Sequence, residues 1–186
     1  MSLSKPIMSL VGKYLEQLYI HPIRTRAISS ASIAICGNVV SQYLSGCRVL
    51  NQDSIIAFGL FGLLFGGTIP HLFYTTLERV ISDEVGHSIA KRLLIERLIY
   101  SPMYQAFAIY MIARLEGKTH GIAIKQLERT YWPILQVNWK WMSIIQCINL
   151  SFVPPILRVL FMNLVGFFWS IYLAHTLRQK QEKRDH

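Results

Sequence analysis

Residues 54–77, SIIAFGLFGLLFGGTIPHLFYTTL, decide the fold. The run is apolar over the length that a bilayer's hydrocarbon core demands, about 20 residues. A backbone in lipid must satisfy its own hydrogen bonds, so such a run reads as a helix. Its glycines, Gly59, Gly62, Gly66 and Gly67, lie near mid-run. There a phosphate has no access, which excludes a nucleotide-binding loop. Gly62 and Gly66 make a GxxxG, a spacing that lets two helix backbones approach closely in a membrane, and close internal packing is the expected use.

Further apolar runs flank this one. Before it, 27–44 is of span length but polar, carrying Ser30, Asn38, Ser41 and Gln42. At helical pitch Ser30, Ala34, Gly37, Asn38 and Ser41 form one stripe, which must face protein or water rather than lipid. Upstream, 13–20 reads as a short interfacial helix broken by His21 and Pro22. Thr25 is placed to cap the next helix, and Arg24 and Arg26 fall where phospholipid headgroups would sit. After the central run, a charged loop (78–92) leads to a third span, 93–113, interrupted by Glu96, Arg97 and Pro102. A second charged loop follows at 114–129. Residues 131–153 form an amphipathic or partial span, with Trp132, Gln136, Trp139, Lys140, Ser143 and Cys147 on one side. Pro154 and Pro155 end it. A conventional span at 156–174 and a basic tail at 175–186 complete a single integral membrane domain. The expected fold is an all-α polytopic bundle of about four transmembrane helices, with the interfacial helix and the tryptophan-rich helix added.

The whole chain agrees with this reading. Of 186 residues 52% are hydrophobic and 16% charged, against roughly 25% charged in ordinary soluble domains. Mean hydropathy is +0.34. The net charge of +9 suits anionic lipid. Nucleic acid is excluded as a partner because the basic residues gather at the termini and in loops rather than on one soluble face. With four spans the positive-inside rule places both termini in the cytosol, whereas a fifth full span at 131–153 would separate them. Cys36, Cys47 and Cys147 stand apart without a CxxC, and the six histidines have no metal-ligand spacing, so no disulfide framework or metal site is expected. Without a GxSxG or a phosphate loop, the chain is expected to be no enzyme and to carry no cofactor. The first residues lack the apolar core of a cleavable signal peptide, and the tail is neither SKL nor KDEL.

Several strings then stand together: YLEQLYIHPIRTRAI with GNVVSQ, GGTIPHLFYTTLE, ERLIYSPMYQ, and YWPILQVNWKWMSIIQCINLSFVPPILRVLFMNLVGFFWSIYLA. In order and over nearly the whole chain they resemble the family of small integral membrane proteins that includes peroxisomal membrane protein 2 and mitochondrial inner-membrane relatives. The residues that carry the resemblance are His21, Pro22 and Thr25, then Pro70 and Tyr74, then Pro102, and near the end Trp139, Gln146, Asn149, Pro154, Arg158, Asn163 and Trp169. Asn38 and the Glu96–Arg97 pair favour the peroxisomal branch, although Glu96 replaces an Asp usual in both branches. The resemblance implies a non-selective pore for small polar metabolites, a homo-oligomer delivered by the peroxisomal membrane import machinery, and a peroxisomal membrane location, with the mitochondrial inner membrane as the alternative.

A pore requires a water-facing stripe. Ser30, Asn38, Ser41 and Gln42 are candidates in the first span. Glu96, Arg97, Ser101, Tyr104 and Gln105 are candidates in the third, and Gln136, Lys140 and Ser143 in the tryptophan-rich run. The competing reading is that these groups bond one another between helices. Unpaired charge in hydrocarbon costs about 3 kcal/mol on insertion scales, so Glu96 is expected to neutralise Lys140 or Arg158. Three readings stay open: a diffusion pore, a non-conducting scaffold, and a gated mitochondrial channel.

Overall fold

The computed structural model describes residues 4–46, 49–81, 87–169 and 171. Cys47, part of the loop before the third span, the end of the last span and the basic tail with His175 and His186 lie outside the described residues. Among the described residues the chain is helical with no strand. The helices are α1 (Ser4–Ile20), α2 (Pro22–Leu44), α3 (Gln52–Val80), α4 (88–115), α5 (120–152) and α6 (Arg158–Trp169). By length and composition α2 and α3 are able to cross a membrane, and α6 is a shorter apolar helix. The fold is an all-α membrane bundle.

Helix boundaries follow local chemistry. Pro22 occupies the first turn of α2, where its missing N–H removes nothing, and His21 bends the chain away from α1. Thr25 is not the expected cap. It lies inside α2 and donates from Oγ1 to the carbonyl of Gln17 at 2.9 Å, tying α2 back to α1. Helix α1 starts well before residue 13, and its Leu18 is buried. Asn51 caps α3 by accepting from the N–H of Ser54 at 3.1 Å.

The expected charged loop at 114–129 is instead a tight turn followed by helix. Gly117 adopts φ +79°, its N–H reaching Arg114 O while that of Lys118 reaches Ala113 O, each at 3.1 Å. This double bond pattern closes α4 in a Schellman motif. Helix α5 then begins at His120, buries Ala123 and Leu135, and leaves Lys125, Glu128 and Arg129 exposed. The tryptophan-rich run is therefore the second part of one long helix. Pro154 and Pro155 end it, and α6 starts at Arg158 rather than 156.

Three helices contain a π turn, a stretch with one residue more than the α-helix holds: Gly62–Gly66 in α3, Glu96–Tyr100 in α4 and Asn138–Met142 in α5. Pro70, Pro102 and Pro133 stand in the same three helices. Pro102 thus perturbs α4 without interrupting it.

Helix α3 packs against α2 through glycine, but not at the GxxxG spacing. A Cβ on Gly62 would lie 2.8 Å from Ala31 Cα, and one on Gly67 would lie 2.6 Å from Ala27 N. On Gly66 the nearest atom would be Ser30 Cβ at 3.4 Å, ordinary contact. The π turn moves the second close approach one residue along, from Gly66 to Gly67. Beyond the glycines, a core of Tyr74, Leu77, Ile81, Leu150 and Val159 joins α3, α5 and α6.

Candidate functional site

Each π turn contributes to one cavity. Gly66 comes from the first, Glu96, Arg97 and Tyr100 from the second, Asn138 and Met142 from the third, with Asn163 closing the space from α6. The cavity measures about 350 Å³. A second, of about 400 Å³, lies between α2, α3, α4 and α6 and is bordered by Ser30, Asn38 and Ser41. The two adjoin, sharing Gly66, Tyr104, Met162, Asn163 and Gly166. At their junction Asn163 Nδ2 donates to Ser30 Oγ at 2.6 Å.

The polar wall of the first cavity grows out of a proline. In the π turn of α4 the Ser101 N–H bonds the Glu96 carbonyl, five residues back. By the same register the Arg97 carbonyl would look to residue 102, but Pro102 has no N–H. Trp139 Nε1 fills the vacancy, donating to Arg97 O at 3.0 Å and locking α5 to α4. The Arg97 guanidinium grips both carboxylate oxygens of Glu96 through Nε and one terminal nitrogen. Its other terminal nitrogen donates to Asn138 Oδ1 at 2.7 Å. Asn138 Nδ2 continues to Gln105 Oε1 at 3.2 Å, and Gln105 Nε2 to the Tyr131 carbonyl at 3.1 Å. Glu96 is 3% and Arg97 7% exposed, so two opposite charges sit inside the bundle as a bidentate pair. Tyr100 stacks between Phe73 and Tyr104, with ring centroids at 3.9 and 5.3 Å, and its hydroxyl is buried without a partner.

The expected ion pairs are therefore corrected. Glu96 pairs with Arg97, its chain neighbour, and with neither Lys140 nor Arg158. Arg158 pairs with Glu78 on α3. It also donates to the carbonyls of Val153 and Leu150, each at 3.2 Å. The Leu150 carbonyl is open because its intrahelical donor would be Pro154. Lys140 is exposed with its Nζ 5.6 Å from the Trp141 ring centroid, and it lines neither of these two cavities.

Of the other sequence candidates, Ser30, Asn38 and Ser41 border the second cavity and Gln105 the first. Asn38 also donates to Ser54 Oγ at 3.1 Å and accepts from Gln42 at 2.6 Å. Gln42 holds the backbone of Asn51, so it serves the α2–α3 turn. Gln136 is exposed, and Ser143 bonds back to the Trp139 carbonyl at 2.6 Å. Gln146 and Asn149 are fully buried, Gln146 donating to Tyr74 OH at 2.7 Å. Cys147, expected on the polar side of its helix, is exposed. Sequence reasoning missed Asn138 and Tyr100 as cavity residues. The only signal for Asn138 was an amide beside three tryptophans.

Residues 113–174 match the model of the Mpv17 / PMP22 family. The chain is 32% identical to peroxisomal membrane protein 2 of Bos taurus over 88% of this chain and 87% of that one. It is 31% identical to peroxisomal membrane protein PMP22 of Arabidopsis thaliana, covering 97% of this chain and 95% of the relative. Identity to the mitochondrial inner membrane protein Mpv17 of Caenorhabditis briggsae is 23%, over 90% of this chain and 92% of the relative. No solved structure matches it. Full-length identity above 30% to peroxisomal membrane proteins, the family model on the last third and an all-helical bundle with two span-length helices agree: the chain belongs to the Mpv17 / PMP22 family of membrane proteins.

Proposed function

We propose that this chain forms a passive path for small water-soluble metabolites through the peroxisomal membrane, and that it is not an enzyme. The observation that carries the proposal is the pair of adjoining cavities, about 350 and 400 Å³, bordered by Glu96, Arg97, Asn138 and Asn163 at their polar points. Buried polar groups of this kind inside a lipid-facing bundle mark a solute pathway. The peroxisomal branch is favoured by identities of 32% and 31% to peroxisomal relatives, against 23% to a mitochondrial one. In this reading both termini face the cytosol, the import machinery for peroxisomal membrane proteins delivers the chain, and the working unit is a homo-oligomer with a path in each copy.

Single-channel recording of the purified protein in a planar bilayer tests it, with organic anions of graded size on one side. Discrete steps with a size cutoff are the expected result. Their absence, with folded protein in the bilayer, would favour a non-conducting scaffold. That second reading has its own support, because Arg97, Asn138 and Gln105 are already bonded to one another.

A further inference from the structure

A third cavity, of about 230 Å³, lies where the beginning of α2 meets the end of α3 and the turn after Pro154, meeting the first cavity at Tyr74 and Val159. Arg26 is its deepest charged group, only 6% exposed. One guanidinium nitrogen donates to the Ile156 carbonyl at 3.1 Å, and another is 3.0 Å from His71 Nδ1. Neither partner carries a negative charge, and the Arg26 Nε is buried without any partner.

The donors here are the Arg26 guanidinium and the Thr75 hydroxyl. Arginine only donates, so His71 Nδ1 must accept and the His71 proton belongs on Nε2. The Thr75 hydroxyl is 3.3 Å from the same Nδ1. Among the described residues Glu78 is the only acid on the cavity wall, and its carboxylate is held by Arg158. Two guanidiniums thus share one carboxylate, leaving a net positive charge in a partly enclosed space. A buried cation without a counter-ion is costly, and an anion entering the cavity would relieve that cost.

Depth identifies the kind of anion. At 1.5 Å per residue α3 is about 43 Å long, beyond the roughly 30 Å of hydrocarbon. That excess lets the last turns of α3, with Thr75 and Glu78, reach the headgroup layer beside the first turns of α2, where Arg24 and Arg26 favour anionic headgroups. We propose that this cavity binds a phosphate group there, against Arg26, His71 and Thr75. The group belongs either to an anionic phospholipid headgroup or to free phosphate from solution. The site is independent of whether the bundle conducts.

Full-length protein purified in detergent tests this by native mass spectrometry and thermal unfolding, with phosphatidic acid, phosphatidylcholine and inorganic phosphate as probes. Wild type is expected to retain phosphatidic acid in preference to phosphatidylcholine, and Arg26→Gln to bind it about tenfold more weakly. Stabilisation by phosphatidic acid alone identifies the headgroup. Stabilisation of the lipid-free wild type by inorganic phosphate, absent in Arg26→Gln, identifies the free anion. Should Arg26→Gln fail to fold, Glu78→Gln adds one net positive charge and must tighten binding. The proposal is overturned if wild type binds neither probe, if folded Arg26→Gln binds as wild type does, or if Glu78→Gln leaves affinity unchanged or lower.

Discussion

Two carbonyl groups that prolines leave without a donor are each answered by a side chain from elsewhere in the chain. Trp139 answers Arg97 O across from Pro102, and Arg158 answers Leu150 O before Pro154. An unsatisfied buried carbonyl costs about 1–3 kcal/mol. Trp139→Phe, which keeps an aromatic ring but loses the donor, is expected to lower stability by about that much in equilibrium unfolding in detergent. In a Pro102→Ala background, where a backbone N–H is restored, the same substitution should cost measurably less, and a double-mutant cycle reads the difference. At this scale the sequence told that Glu96, Arg97 and Arg158 needed partners, since charge within a span is expensive. It did not tell which. Arg158 pairs with Glu78, eighty positions away, and no local pattern displays that contact.

The elements were legible wherever the α-helical period was unbroken. The polar stripe of α2 stands where the period placed it, the apolar run of α3 was legible from its length despite its π turn, and Pro154–Pro155 ends a helix as expected. Reading failed where the period changed. A helical wheel advances 100° per residue, so it loses phase at each π turn, which holds an extra residue. Beyond Asn138–Met142 the buried face of α5 is Gln146, Asn149 and Leu150, and Cys147, read on the polar side with Trp132 and Gln136, is exposed. The α4–α5 turn was missed because charge density at 114–129 marks a solvated helix face as readily as a loop. The glycines of α3 give the sharpest check. Gly67→Ala drives a Cβ into the α2 backbone at 2.6 Å, and overpacking of this kind costs about 1–3 kcal/mol. Gly66→Ala meets only a 3.4 Å contact and should be close to neutral in thermal unfolding. A GxxxG dimer would give the reverse order.

For the molecule as a whole, the Glu96–Arg97 pair makes the first cavity electrically balanced. Glu96→Gln leaves an uncompensated guanidinium there, so under the proposed conducting role the reversal potential in a salt gradient should shift toward anion preference. Lys140→Gln, outside both of the adjoining cavities, should leave it unchanged. The bundle class and its membrane setting were legible from composition. The first cavity was not, because three irregular turns on three helices build it and no single segment announces that convergence.

The π turns also mark where these helices can lose a residue at least cost. Removing one residue from Gly62–Gly66 would let the helix revert to its regular period. Everything beyond would keep its face, with Tyr74 and Leu77 still turned into the core. The same loss elsewhere in α3, with the π turn kept, would rotate the rest of the helix by about 100° and carry both out of the core. Deletions within Gly62–Gly66 should therefore be tolerated better than deletions a turn to either side.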